Sequence, residues 1–191
     1  MTTSLEAPVV VDRRRLPSAA RLLGSLVVLF KIRIVALLLF AGMGGAFVAA
    51  GGWPGLAPLM LMTLTGGLAA MGASALNQYL EQDDDAAMRR TRRRPLVSGA
   101  ITHPRWVPVV ALALILVPSL AVFPFNPALA AFSIGGAVIY AGVYTVWLKP
   151  RTVLNIVIGG LAGTCAVLCG SAAVGRWAHP GALSLGLLVF L

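Results

Sequence analysis

Residues 74–96 read Ser-Ala-Leu-Asn77-Gln-Tyr-Leu-Glu81-Gln-Asp83-Asp84-Asp85-Ala-Ala-Met88-Arg89-Arg90-Thr91-Arg92-Arg93-Arg94-Pro95-Leu96. At about 100° per residue, helical positions four apart stay on one face. Asn77, Glu81 and Asp85 therefore share a face, Asp84 sits at its edge, and Asp83 points elsewhere unless the helix unwinds there. Four carboxylates within five residues repel one another, and the dipole at a helix C-terminus disfavours negative charge. Local stability does not explain the cluster. A bound divalent cation does, because carboxylate oxygens are hard ligands suited to Mg²⁺ or Ca²⁺. Mg²⁺ takes one or two protein carboxylates and completes its shell with water and phosphate oxygens. The competing reading is a solvated acidic helix end neutralised by the arginines that follow. Those arginines carry planar forks that match phosphate oxygens. Carboxylates, a divalent cation and arginines beside apolar helices describe a site for an apolar molecule with a diphosphate head.

The rest of the chain supplies the apolar helices. Of its 191 residues, 59% are hydrophobic and 11% charged, and the mean hydropathy is +0.90. Soluble domains carry about a quarter charged residues. That excludes a soluble globule, a disordered chain and a disulfide scaffold. A spanning helix needs about 20 mostly apolar residues. Such stretches run at about 34–52, 56–80, 106–123, 128–148 and 153–175, and a sixth begins near Gly181. No stretch alternates with period two, so the fold class is an all-α polytopic membrane protein, a bundle of transmembrane helices. Residues 1–33 read as a cytoplasmic arm ending in an interfacial helix, and 34–191 as the transmembrane domain. The pair Cys165 and Cys169, and Gly159 with Gly163, repeat small residues at a spacing that lets helices approach closely.

The net charge of +9 is explained by the membrane rather than by nucleic acid. With a cytoplasmic N-terminus, segments 1–33, 81–105 and 149–152 hold 14 of the 15 Lys and Arg residues and all six acidic ones. Arg176 alone falls on the outside turns. The expected location is a bacterial-type plasma membrane, with the motif loop facing the cytosol.

Asn77, Glu81 and Asp85 resemble the first aspartate-rich motif of the UbiA superfamily of intramembrane prenyltransferases, with Glu for its middle Asp. The continuation Asp83-x-Asp85-x-x-Met88-x-Arg90-Thr91-x-x-Arg94-Pro95-Leu96 is similar to that of the protohaem IX farnesyltransferase (haem O synthase) family. Lys31-Ile-Arg33 resembles that family's Lys-Pro-Arg, and 144–163 resembles its connection between the fourth and fifth helices. Ala166-Val167 stands where many members carry a Pro-Pro pair. The resemblance implies nine transmembrane helices and a second aspartate motif; five helices and part of a sixth are present here, so a fragment is expected.

The resemblance also implies Mg²⁺-dependent transfer of farnesyl from farnesyl diphosphate to the vinyl group of protohaem IX (haem B), within the lipid bilayer. Asn77, Glu81 and Asp85 would be catalytic. Glu81, Asp83 and Asp85 would hold the metal. Arg90, Arg94 and Lys149 would clamp the diphosphate, with Lys31 and Arg33 as weaker candidates. Tyr79, Tyr140, Tyr144 and Trp147 are candidates to shield an allylic cation, against the alternative of packing or an interfacial belt. Neither His103 nor His179 reads as a haem ligand. A different prenyl acceptor, an aromatic acid or a chlorin, and a non-catalytic transporter or assembly factor are the competing functions.

Overall fold

A computed structural model describes residues 19–152 and 155–191. The basic run Arg13 to Arg15 and the expected start of the fifth span at Val153 lie outside the described residues. The described chain is helical throughout, with α1 (Ala19–Leu29), α2 (Ile32–Ala50), α3 (Leu56–Leu80), α4 (Gln82–Ala87), α5 (Val107–Val122), α6 (Pro127–Ala137), α7 (Asn155–Ala173) and α8 (Pro180–Phe190). A 3₁₀ turn, Pro104–Trp106, leads into α5, and a π-helical segment, Val138–Leu148, continues α6.

Five helices are long and apolar enough to cross a membrane: Ile32–Ala50, Leu56–Leu80, Pro104–Val122, Pro127–Leu148 and Asn155–Ala173. Their bounds follow the apolar stretches of the sequence to within a few residues. Large apolar side chains such as Leu37, Phe40, Val109 and Ile156 are exposed on their outer faces. Helices that are apolar all round belong in a bilayer. The protein is a multi-pass membrane protein.

The spans alternate in direction. One end of the bundle gathers the α1–α2 turn, the 81–105 loop and the 149–152 loop; the other gathers three short turns. At that second end Gly51 closes α2 in the left-handed region (φ 71°), its N–H donating to the carbonyls of Phe47 and Val48. Asn126 caps α6, accepting from Leu129 N–H at 3.0 Å and donating to Ala172 O at 2.7 Å. Arg176 donates to Ala49 O at 2.9 Å and ties the α7–α8 turn to the end of α2.

Helix α3 is the most buried span and packs against α2, α5, α6 and α7. The tightest crossing is α2 on α7, where a Cβ added at Gly170 would lie 1.8 Å from Gly42 O. Close backbone approach through small residues is how helices associate without a hydrophobic driving force. The small residues of α7 pack as expected. Gly159 lies under the Tyr144 ring, and Cys169 is buried with its sulfur 3.5 Å from Ser133 Oγ. Val167, at one of the two positions where a Pro-Pro pair was the comparison, is fully buried against Gly45.

Two local departures from regular helix shape the molecule. The fourth span, expected as one helix, changes from α to π at Val138. In an α-helix residues five apart point about 140° apart; the i→i+5 pattern of a π-turn brings them into line. Tyr140 and Thr145 are so related, and Thr145 Oγ1 donates to Tyr140 O at 2.8 Å. The second departure is Lys31, which joins α1 to α2 with φ 47° and ψ 48°. A side chain in that region costs about 1–2 kcal/mol, and such strain persists only where surrounding structure imposes it.

Candidate active site

Helix α3 breaks at Glu81 (φ −97°, ψ 13°), and the chain continues as α4 after that single residue. Glu81 and Asp85 stay on the inward side across this break: both are buried, as is Asn77. Asp83 and Asp84 face outward and are exposed. Asp85 N–H donates to Glu81 O at 2.8 Å, so the two carboxylates sit one helical turn apart.

Two basic side chains meet this pair, and a third stands beside Asn77. Arg94 Nη1 lies 2.5 Å from Asp85 Oδ2 and 3.6 Å from Glu81 Oε2. Lys149 Nζ lies 2.5 Å from Glu81 Oε1. Lys31 Nζ donates to Asn77 Oδ1 at 2.6 Å and to the Tyr140 hydroxyl at 2.8 Å. Asn77 completes the network by donating through Nδ2 to Thr145 Oγ1 at 2.9 Å, while the Tyr140 hydroxyl donates to Asn77 Oδ1 at 3.3 Å. Three cations thus face two carboxylates, a surplus of positive charge in a half-buried site. Arg94 and Lys149 keep 21% and 33% of their side-chain surface open, enough to meet a ligand from the aqueous side.

Burial is the main reason the Lys31 ammonium is held down to about pKa 8 from its ordinary 10.5. Repulsion from Arg94, and less from Lys149, acts the same way, against the attraction of Glu81 and Asp85. Lys31 also stands 5.5 Å from the centre of the Tyr140 ring, within cation–π range.

Below this polar layer lies an apolar cavity of about 300 Å³. Tyr140 forms its roof and belongs to both layers; Met62 and Phe132 lie at its deeper end, and Gly66, Gly136 and Gly163 are among its walls. Tyr144 stacks on Tyr140 with ring centres 5.8 Å apart and planes at 8°. The arrangement can hold a polyanionic head among Lys31, Arg94 and Lys149, and an apolar tail in the cavity.

The expected site residues divide in two. Asn77, Glu81, Asp85, Arg94, Lys149 and Lys31 converge. Asp83, Arg90 and Arg33 are exposed and stand outside the cluster. Of the aromatic candidates, Tyr140 and Tyr144 border the site, Tyr79 packs in an apolar cluster with Leu29 and Leu96, and Trp147 is 59% exposed. His103 is exposed. The sequence reading missed Thr145, which accepts from Asn77, and the buried Gln78, which donates to the carbonyls of Val28 and Leu29 just ahead of Lys31. Thr145 carried no signal without the π-turn. Gln78 neighbours the motif, and its type, a buried amide in an apolar span, was the available clue.

Among the described residues, no group of three or more His, Cys, Asp or Glu converges to hold a metal ion. The donor set still fits a hard divalent cation: two buried carboxylates one turn apart are the one or two that Mg²⁺ takes when phosphate oxygens fill the remaining positions.

Comparison with known proteins agrees with this arrangement. Residues 37–191 match the UbiA prenyltransferase family. The chain is 43% identical over 164 residues to protoheme IX farnesyltransferase 2 of Paramagnetospirillum magneticum, covering 85% of this chain and 57% of that protein. It is 40% identical over 165 residues to protoheme IX farnesyltransferase of Metallosphaera sedula, covering 85% and 56%. The corresponding protein of Saccharolobus islandicus is 40% identical over 161 residues, covering 84% and 56%. The chain therefore spans little more than half the length of these relatives. No solved structure gives a significant match. With the motif residues gathered at one end of an apolar helical bundle and the match extending over most of its length, the chain belongs to the UbiA prenyltransferase family.

Proposed function

We propose that this chain carries the diphosphate-binding half-site of a farnesyltransferase that moves farnesyl from farnesyl diphosphate to the vinyl group of protohaem IX, giving haem O. One observation carries the reading. Arg94 and Lys149 pair with Glu81 and Asp85, and Lys31 is held beside them by Asn77 and Tyr140, above an apolar cavity roofed by Tyr140. The names of the relatives support the farnesyl group and the haem acceptor.

Glu81 and Asp85 are the residues that would hold Mg²⁺, which would supply neutralising charge to the diphosphate oxygens. Asn77 orients the Lys31 ammonium toward the head group. Arg94 and Lys149, exchanging their carboxylate partners for phosphate oxygens, stabilise the charge that gathers as the farnesyl C–O bond breaks and its electron pair leaves with diphosphate. Charge stabilisation by groups already in place, in a site poor in water, is a large catalytic term. Tyr140 and Tyr144 stand where ring faces shield an allylic cation, worth about 0.5–2 kcal/mol each. The vinyl π electrons form the new C–C bond, and water adds at the remaining vinyl carbon with loss of a proton.

The distribution of basic residues supports placing this end of the bundle at the cytosol, in a bacterial-type plasma membrane. The test is incubation of membranes bearing the protein with labelled farnesyl diphosphate and haem. Label in a hydroxylated haem supports the reading. Label found only in an added aromatic acid keeps the family and rejects the acceptor.

A further inference from the structure

Gln78 follows Asn77 on α3 and is 1% exposed. Its Nε2 donates to Val28 O at 2.8 Å and to Leu29 O at 2.9 Å, the last two carbonyls of α1. A helix end leaves its final carbonyls without partners, and this amide supplies them from inside the neighbouring span. Immediately beyond, Lys31 N–H donates back to Val28 O at 3.2 Å, and Lys31 takes its left-handed conformation. The turn so formed delivers the ammonium to Asn77 Oδ1 and the Tyr140 hydroxyl. Adjacent residues of α3 therefore hold the two parts of one turn, Gln78 the backbone before Lys31 and Asn77 the side chain.

The Gln78 carbonyl oxygen, Oε1, is buried with no hydrogen-bond partner among the described residues. Packing alone does not call for an amide here, since an apolar side chain of the same length fills the space without stranding an oxygen. The N–H donors are what the position uses.

We propose that Gln78 is a positioning residue: by holding the carbonyl end of α1 it fixes the Lys31 turn and so places the Lys31 ammonium for the donor diphosphate. This rests on the diphosphate reading above. Gln78 acts through Lys31 and touches no substrate.

The test uses the full chain in lipid nanodiscs, unaltered and as Gln78→Met, Lys31→Ala and the double variant. Two quantities are measured: affinity for inorganic pyrophosphate in the presence of Mg²⁺, and the pH dependence of Lys31 acetylation read by mass spectrometry. Gln78→Met is expected to weaken pyrophosphate binding about tenfold, the scale of one charge-assisted hydrogen bond. The double variant is expected to bind no more weakly than Lys31→Ala, because both changes remove the same contact. The acetylation midpoint of Lys31 rises in Gln78→Met from about 8 toward that of a free lysine. Gln78→Leu gives the same comparison if the Met variant does not fold. An unchanged midpoint with unchanged affinity overturns the proposal, as do losses that multiply in the double variant. Failure of the diphosphate reading looks different: the unaltered chain does not bind pyrophosphate, while the Lys31 midpoint still moves with Gln78.

Discussion

Lys31 and Asn77, 46 positions apart in the chain, meet at 2.6 Å between Nζ and Oδ1. The contact joins the turn before the second helix to the start of the acidic motif. It also sets the height of the polar layer, because Tyr140 bonds to both residues and roofs the cavity beneath them.

The carboxylates separate by burial, and activity is expected to follow. Glu81→Gln and Asp85→Asn are predicted to lower farnesyl transfer by about a thousandfold, the scale of losing preorganised charge stabilisation. The exposed Asp83→Asn is predicted to lose far less. Chelation of divalent cations should abolish turnover, and added Mg²⁺ should restore it in the unaltered protein but not in Asp85→Asn. Initial rates in membranes decide the matter; equal losses at Asp83 and Asp85 would contradict the geometry.

The two arginines of the motif separate in the same way. Arg94→Ala removes a cation lying 2.5 Å from Asp85, and kcat/KM for farnesyl diphosphate should fall about 10–100-fold. Arg90→Ala, from an exposed position, should cost only a few-fold, a modest surface-electrostatic effect. A larger effect at Arg90 than at Arg94 would mean that the loop rearranges when the donor binds.

The pH dependence follows from Lys31. Below about pH 8 the ammonium is charged; above it the proton is lost, so diphosphate affinity should fall as pH rises through 8. Lys31→Ala should remove that step. Linkage has the opposite sign for stability. Between about 8 and 10.5 the unfolded chain binds the proton that the folded chain has released, so stability gains from this residue as pH rises across that window. Pyrophosphate titration and thermal unfolding across pH 7–10.5 read the two effects separately.

The α2–α7 crossing has no room for a side chain. Gly170→Val is predicted to destabilise the bundle by about 1–3 kcal/mol or to prevent folding, since the added atoms meet the Gly42 carbonyl. Gly135→Ala, where an added Cβ meets nothing within 4 Å, is the control and should be tolerated. Thermal unfolding in detergent distinguishes them.

Much of this was legible in the chain itself. Hydropathy sets the number and bounds of the spans, because burying a polar backbone in hydrocarbon requires long apolar helices. The four-residue spacing of Asn77, Glu81 and Asp85 places them on one face through helix geometry alone. What spacing does not contain is which distant side chain arrives at that face. Arg90 and Arg94 look alike in the sequence; the fold sets one, half-buried, against Asp85 and leaves the other in the open. Asp83 stays outside because α3 breaks at Glu81 and continues as α4 without turning that residue inward. Lys31 enters the site through a left-handed backbone conformation that its residue type does not favour, and Tyr140 and Thr145 align through a π-turn that apolar periodicity does not reveal. Local pattern determined the helices and the acidic face; packing between helices decided the partners, because contacts between residues far apart in the chain exist only once the helices have docked.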